Sequence, residues 1–111
     1  MARGAKLVTI FWRDIPAQVN AKTRSEKHRV LLKPRFQKAI DRAAMVADKT
    51  EASAYVAEWR QESMQLAGDP KESAEAEAAR LDAAFPLSRL DQLAKTGGWN
   101  PDTNLEESSD Q

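Results

Sequence analysis

The stretch from residue 7 to residue 19 constrains the fold most strongly. It is the densest apolar and β-branched run in the chain, and a proline interrupts it. Residues 6–13 alternate loosely between two largely apolar faces, which predicts a central strand covered on both sides, or on one side plus a partner. Pro16 cannot donate a ladder hydrogen bond and restricts the backbone of Ile15, so the strand ends before it. Residues 17–21 form a weaker candidate strand that returns beside the first.

Three helices follow from local signals. Residues 34–47 have a proline at the first helical position and apolar residues at helical spacing. Asp69 and Pro70 form a full helix start, with an N-cap carboxylate and a proline at the first position. We expect this second helix to run to about Phe85. Residues 87–93 carry leucines at spacings that predict one more short helix.

Two segments are harder to assign. Residues 51–66 have the composition of a helix, because alanine, glutamate, glutamine and methionine dominate. The alternation between Tyr55 and Trp59 fits instead a strand with one covered face. We favour a strand over residues 54–61, because a three-stranded sheet is more self-sufficient than a two-stranded ribbon. The polar and basic residues 22–33 are predicted to form a loop.

These elements predict one α+β domain, since a chain of 111 residues leaves little room for a second. We expect a small two-layer β-β-α-β-α domain with a three-stranded, mainly antiparallel sheet and the 34–47 helix on one face. The domain should occupy residues 1–96, with C-terminal helices in residues 70–95. Residues 97–111 are polar and acidic after a Gly-Gly pair and are predicted to be a disordered tail.

The composition excludes several kinds of chemistry. The chain has no cysteine, so disulfides, thiolate zinc sites, iron–sulfur ligation and thiol nucleophiles are absent. Its one histidine, His28, lies between Lys27 and Arg29 in a polar segment, which favours a solvated residue over a catalytic one. The phosphate-binding and dinucleotide-binding glycine motifs are also missing. We therefore expect no catalytic residues, no metal ligands and no cofactor.

Membrane association is not expected. No apolar run approaches the roughly 20 residues that span a bilayer. The N-terminal segment reaches its apolar strand and then Arg13 too soon for the core of a signal peptide. The expected location is the cytoplasm.

The net charge of zero conceals a division along the chain. Residues 1–49 contain 12 Lys/Arg and 4 Asp/Glu, or +8, whereas residues 50–111 contain 5 and 13, or −8. A division of this size indicates two differently charged faces or an acidic tail. The basic segment 22–38 is a candidate site for phosphate groups or an acidic partner, through Lys22, Arg24, Lys27, Arg29 and Lys33. It has no interleaved aromatic residues and no nucleic-acid motif, so a solvated face or an acidic protein partner is preferred to nucleic acid.

A second candidate site combines two aromatic–cation pairs. It comprises Trp12, Arg13, Asp14, Gln18, Trp59 and Arg60. Tryptophan and arginine are over-represented at binding hot spots. If the strands that carry the two pairs are neighbours, the pairs form a cross-strand cluster. The alternative is that both tryptophans are core residues and that Arg13 and Asp14 form a turn ion pair worth about 0–1 kcal/mol.

Three blocks of this sequence resemble the small bacterial domain family called conserved virulence factor. They are WRDIPAQV at residues 12–19, FQKAIDRAAM at residues 36–45 and AYVAEWR at residues 54–60, within a family-like core over residues 6–61. The resemblance implies a stand-alone bacterial accessory domain and gives no catalytic residues. It also implies an association with folate and corrinoid one-carbon metabolism. The segment after Gln61 lies outside the three blocks.

The functional hypothesis is a non-catalytic accessory module that docks its hairpin and strand edge on a larger protein. The alternative is nucleic-acid or phosphate-ligand binding through residues 22–38. A third hypothesis is a small enzyme or cofactor-binding subunit in one-carbon metabolism. The sequence leaves the partner and the oligomeric state open.

Overall fold

The computed structural model describes residues 5–100. In this part of the chain, a four-stranded antiparallel sheet and four helices form two layers, which confirms the α+β class. The strands are β1 (Lys6–Trp12), β2 (Ile15–Lys22), β3 (Lys27–Leu31) and β4 (Trp59–Gln65). The helices are α1 (Pro34–Val46), α2 (Ala52–Ala57), α3 (Pro70–Ala84) and α4 (Leu87–Lys95).

The sheet has four strands rather than the three that the sequence predicts. The additional strand, β3, lies inside the segment 22–33, for which the loop prediction is wrong. It pairs antiparallel with β2, and the turn between them is closed by the N–H of Thr23, which donates to the carbonyl of Glu26 at 2.8 Å. Its half-buried His28 and Val30 alternate with exposed charged residues, the pattern of an edge strand.

The predicted strand at residues 54–61 is wrong over its first half. The chain forms helix α2 at Ala52–Ala57 and then begins β4 at Trp59. The helix-like composition and the strand-like alternation of residues 51–66 are both reflected in the structure, but in two successive elements. Helix composition decides the alanine-rich part, and pairing with β1 decides the part after Glu58.

The strand order is β3-β2-β1-β4, with every neighbouring pair antiparallel. The β1–β2 pairing changes register because Ile10 lies opposite Gln18 while Phe11 lies opposite Pro16. Ala17 is therefore the extra residue of a β-bulge, the position in a sheet where a nearby proline is tolerated.

The hydrophobic core lies between one face of the sheet and the helices. Leu7, Val19 and Ala21 from the sheet pack in one cluster with apolar residues of α1, α3 and α4. We call this the inner face. Helix α3 contacts β1, β2 and β3, whereas α1 contacts β2 and packs chiefly on α4. The main cover of the sheet is thus α3 rather than the 34–47 helix.

The helix boundaries follow the local signals closely. The side chain of Asp69 accepts a hydrogen bond from the N–H of Glu72 at 2.9 Å, as predicted for the start of α3. Contacts of the domain continue past residue 96, because the N–H of Asp14 donates to the carbonyl of Gly98 at 2.8 Å. The remainder of the predicted tail, residues 101–111, lies outside the described residues.

Candidate functional site

The two aromatic–cation pairs meet at the end of the sheet where β1 turns into β2. Trp12 lies directly opposite Trp59 in the β1–β4 register, so the predicted cross-strand arrangement is present. Tyr55 of α2 stands between the two indoles, with ring centroids 5.6 Å from Trp12 and 5.8 Å from Trp59. The Trp12 indole N–H donates to the carbonyl of Tyr55 at 2.9 Å. Trp12 is fully buried and acts as a core residue.

Arg13 is buried at the same end of the sheet, with 9% of its surface exposed. Its guanidinium lies between two indole rings, 5.3 Å from the ring centroid of Trp12 and 4.8 Å from that of Trp99. Nε donates to Oε1 of Glu58 at 3.0 Å, and Nη1 donates to the carbonyl of Gly97 at 3.0 Å. The positive charge of Arg13 is therefore neutralised and enclosed within the domain.

The ion pairs at this end differ from the predicted one. Arg13 pairs with Glu58, while Asp14 pairs with Arg60, whose Nη2 lies 3.2 Å from Oδ1 of Asp14. Arg60 also donates from Nε to the carbonyl of Arg13 at 2.6 Å, and its guanidinium covers the ring of Phe11. The second carboxylate oxygen of Asp14 accepts the N–H of Asn100 at 2.6 Å. These bonds join the turn, β4 and the C-terminal end of the described chain.

The sequence-based site omits Glu58, Trp99 and Gly98, all of which belong to this cluster. Gly98 has a φ of +100°, and a Cβ there would lie 3.1 Å from the ring of Trp12 and 3.2 Å from the side chain of Arg13. A side chain is strained at this φ, and the neighbouring side chains would have to shift by a few tenths of an ångström to admit a Cβ, which favours glycine. The Gly97-Gly98 pair is the one sequence signal for a close backbone approach here, and the same pair is equally consistent with the start of a tail.

The sheet has a second face, which we call the outer face. Residues directly opposite one another in neighbouring strands share a face, so three rows can be read from the register. The rows are Lys27, Lys22, Lys6 and Gln65; Arg29, Asn20, Val8 and Ser63; and Leu31, Gln18, Ile10 and Gln61. None of these twelve side chains belongs to the hydrophobic core cluster, whose sheet members are Leu7, Val19 and Ala21 at alternate positions and Trp12 and Ile15 at the turn end.

The outer face is cationic. Lys6, Lys22, Lys27 and Arg29 all lie on it and are exposed, and none of its twelve side chains is a carboxylate. Most of the other members are amides or hydroxyls, and Leu31 is 67% exposed. Only the central Val8 and Asn20 are buried.

The structure distributes the residues of the two candidate sites differently from the sequence-based prediction. Gln18 joins Lys22, Lys27 and Arg29 on the outer face. Arg24 is exposed in the turn between β2 and β3. Lys33 lies after β3, and its Nζ is 3.4 Å from a carboxylate oxygen of Asp82 on α3. The basic segment is thus divided between a shared face, a turn and an ion pair.

No metal centre or membrane span occurs in the described part of the chain. Residues 5–100 contain no group of three or more histidine, aspartate or glutamate side chains that could hold a metal ion. None of the helices in that range is both long enough and apolar enough to cross a membrane.

The fold and these surfaces define a small two-layer α+β domain with a helix-covered inner face and a cationic outer face. The chain belongs to the virulence factor family, whose model matches residues 10–94. This confirms the resemblance, and the match continues beyond the 6–61 core through α3 and most of α4. The family name, virulence factor, suggests an accessory factor rather than an enzyme. No curated protein and no solved structure matches the chain.

Proposed function

We propose that this protein is a non-catalytic accessory module that docks on an acidic surface of a larger cytoplasmic protein of its bacterium. The docking surface is the outer face of the sheet. The observation that carries this proposal is the set of four exposed cations, Lys6, Lys22, Lys27 and Arg29, on a face without a carboxylate.

The arrangement of these cations supports a partner rather than a merely solvated face. Lys27 lies opposite Lys22, and Lys22 lies opposite Lys6, so three like charges stand side by side across three strands. Like charges directly opposite one another in a sheet are destabilising, by up to about 1 kcal/mol per pair. An acidic partner surface removes that repulsion when it binds and gains complementary charge contacts.

The other side chains of the outer face suit a protein surface. Gln18, Gln61 and Ser63 supply neutral donors and acceptors beside the cations, and Leu31 supplies exposed apolar area. At the turn end, Asp14, Trp59 and Arg60 remain partly exposed and form the rim of the same sheet. Within this proposal, the buried Trp12 and Arg13 hold the rim in place.

A pull-down from the native bacterium tests this proposal. The tagged wild-type protein should recover a stoichiometric protein partner, and the Lys27→Glu/Arg29→Glu variant should lose it. The matched control is Lys71→Glu/Lys95→Glu, which makes the same charge change at exposed positions on α3 and α4 and should retain the partner. Equal recovery by both double variants, or no partner from gentle lysates, contradicts the proposal.

Phosphate backbones are the second candidate ligand, because the same four cations suit them. Four neutralised phosphates on single-stranded nucleic acid give a slope of log affinity against log salt of about −3. Fluorescence anisotropy with labelled single-stranded RNA and DNA at low salt measures this directly. We expect no specific binding. A salt-dependent complex that is lost in the Lys27→Glu/Arg29→Glu variant would show that the ligand of the outer face is nucleic acid rather than an acidic protein.

The pathway part of the proposal rests on the family resemblance alone. We propose that the partner acts in folate- or corrinoid-dependent one-carbon metabolism. Mass spectrometry of the recovered partner tests this part. Thermal unfolding with added folates and cobalamins tests the separate hypothesis of a cofactor-binding subunit, for which a ligand-dependent rise in melting temperature is required.

A further inference from the structure

Strand β4 is an edge strand that the rest of the described chain leaves open. It pairs only with β1, residues 61–65 are all exposed, and Met64 is 51% exposed on the side where α3 covers the other strands. Natural proteins protect sheet edges with short strands, lysine, proline or bulges. The opposite edge, β3, is a five-residue strand with Lys27 and Arg29. Strand β4 is longer and has neither a lysine, a proline nor a bulge.

The hydrogen-bond pattern shows which backbone groups of β4 face outward. The N–H of Arg13 donates to the carbonyl of Glu58 at 3.1 Å, and the N–H of Leu66 donates to the carbonyl of Ala5 at 3.4 Å. Bonding residues alternate along an antiparallel strand, so even-numbered residues of β4 bond to β1. The backbone groups of Gln61 and Ser63 therefore point away from the sheet. Among the described residues, no hydrogen bond reaches them.

The charges of β4 are self-complementary about one residue. Arg60 and Glu62 share a face of the strand because they are two residues apart, and within one chain they form an ion pair with each other. If two copies of β4 pair antiparallel about Gln61, each Arg60 lies opposite Glu62 of the other copy. Outward-facing residues then bond to outward-facing residues, and the two charge pairs occupy the non-hydrogen-bonded positions, where side chains are closest.

The neighbouring registers lack this match. Pairing about Glu62 places two carboxylates directly opposite each other, which is repulsive. Pairing about Ser63 places Glu62 opposite Met64, without charge complementarity. The sequence of β4 thus selects one register for self-association.

We propose that β4 pairs with β4 of a second copy of this chain, about a two-fold axis at Gln61, to form an eight-stranded sheet. Such an interface is isologous, because each copy contributes the same residues. The outer faces of the two copies become continuous, so the dimer presents two sets of Lys6, Lys22, Lys27 and Arg29 side by side. This inference concerns the edge of the sheet and goes beyond the proposed docking function.

Charge exchange tests the dimer and its register together. Sedimentation equilibrium of the purified wild-type chain should give a mass approaching twice 12.4 kDa. Arg60→Glu and Glu62→Arg should each weaken the dimer about tenfold or more, because two attractive pairs become repulsive. An equimolar mixture of the two variants should dimerise again, because one copy then presents two carboxylates at these positions and the other presents two guanidiniums. A folding defect in either variant does not produce this rescue.

A second pair of variants tests the backbone contacts. Ser63→Pro removes an outward N–H that β1 does not use, and should leave a folded monomer. Ser63→Thr keeps the N–H and should remain dimeric. A wild-type chain that is monomeric up to about 1 mM, or a mixture of charge variants that stays monomeric, overturns the proposal. Failure of the docking function is distinguishable, because Lys27→Glu/Arg29→Glu should lose the partner at unchanged mass.

Discussion

The turn end of the sheet and its outer face use the same kinds of side chain in opposite ways. At the turn end, Arg13 has two indole rings, a carboxylate and a carbonyl around its guanidinium. On the outer face, Lys22 has a lysine on either side and no carboxylate in its row. At the turn end, the charged side chains are paired and enclosed within the fold. On the outer face, the charged side chains are exposed to the solvent.

This difference shows that residue type alone does not mark a binding surface. Arg13 lies in the turn after β1 and Arg29 lies in β3, but Arg13 contacts groups 45 and 84 positions away in the chain. Arg29 lies on the outer face and remains exposed. Substitutions in the first region should change stability, and those in the second should chiefly change binding.

The largest expected effect is that of Arg13→Ala. The substitution leaves Glu58 without its partner and removes the cation from between Trp12 and Trp99, so we expect a loss of about 3 kcal/mol of unfolding free energy. Urea denaturation measures it. The control, Arg29→Ala, should change the unfolding free energy by less than about 0.5 kcal/mol. Comparable losses in the two variants would abolish the distinction between the regions.

The next largest effect should be that of Glu62→Pro, with Ser63→Pro as its matched control. The N–H of Glu62 belongs to the β1–β4 ladder, so proline there should cost about 2–3 kcal/mol. The N–H of Ser63 faces outward, so the same substitution one position later should cost less than about 1 kcal/mol. Urea unfolding of both variants at concentrations where the chain is monomeric makes the comparison. Equal costs would contradict the alternation that leaves the edge open.

A smaller effect is expected from Trp99→Ala. The indole is 43% exposed, and the substitution removes one of the two rings around Arg13, so the loss should be about 1–2 kcal/mol. A double-mutant cycle with Arg13→Ala should give a coupling energy of about 0.5–1 kcal/mol. Additive effects of the two substitutions would show that Trp99 does not stabilise the arginine.

The substitution with the smallest expected effect should stabilise the domain rather than destabilise it. Lys22→Glu replaces two repulsive neighbours by two attractive ones, with Lys27 and Lys6, and should stabilise the domain by about 0.5–1 kcal/mol. Its affinity for an acidic partner should fall. The stabilisation should shrink as salt is added, because the charges are exposed. A loss of stability at low salt would mean that the lysine row does not repel itself.

Local signals predicted α1, α3 and α4 well, because the causes of these helices lie within a few residues. Asp69 caps α3 through the adjacent turn, and Pro34 begins α1 without losing a helical hydrogen bond. The cross-strand pairing of Trp12 with Trp59 was also foreseen, since both residues occur in strand-like segments with matching aromatic–cation pairs.

The wrong secondary-structure predictions, for β3 and α2, have equally clear causes. Strand β3 was predicted as loop because its basic residues mask an alternation that becomes visible only when α3 covers one face. Helix α2 was predicted as strand because the alternation between Tyr55 and Trp59 was read as one element. Two elements meet there, and Tyr55 packs between Trp12 and Trp59 from the helical side.

The sequence by itself determined the family, the α+β class, the starts of α1, α3 and α4 and the absence of thiol chemistry, because each depends on residue identity or on short-range spacing. The tertiary structure decided which cations are enclosed and which are presented. That outcome depends on partners such as Glu58 and Gly97, which reach Arg13 only when the sheet and the C-terminal segment close around it. The run from residue 7 to residue 19 therefore supplies both a buried arginine at its turn and part of the proposed docking face.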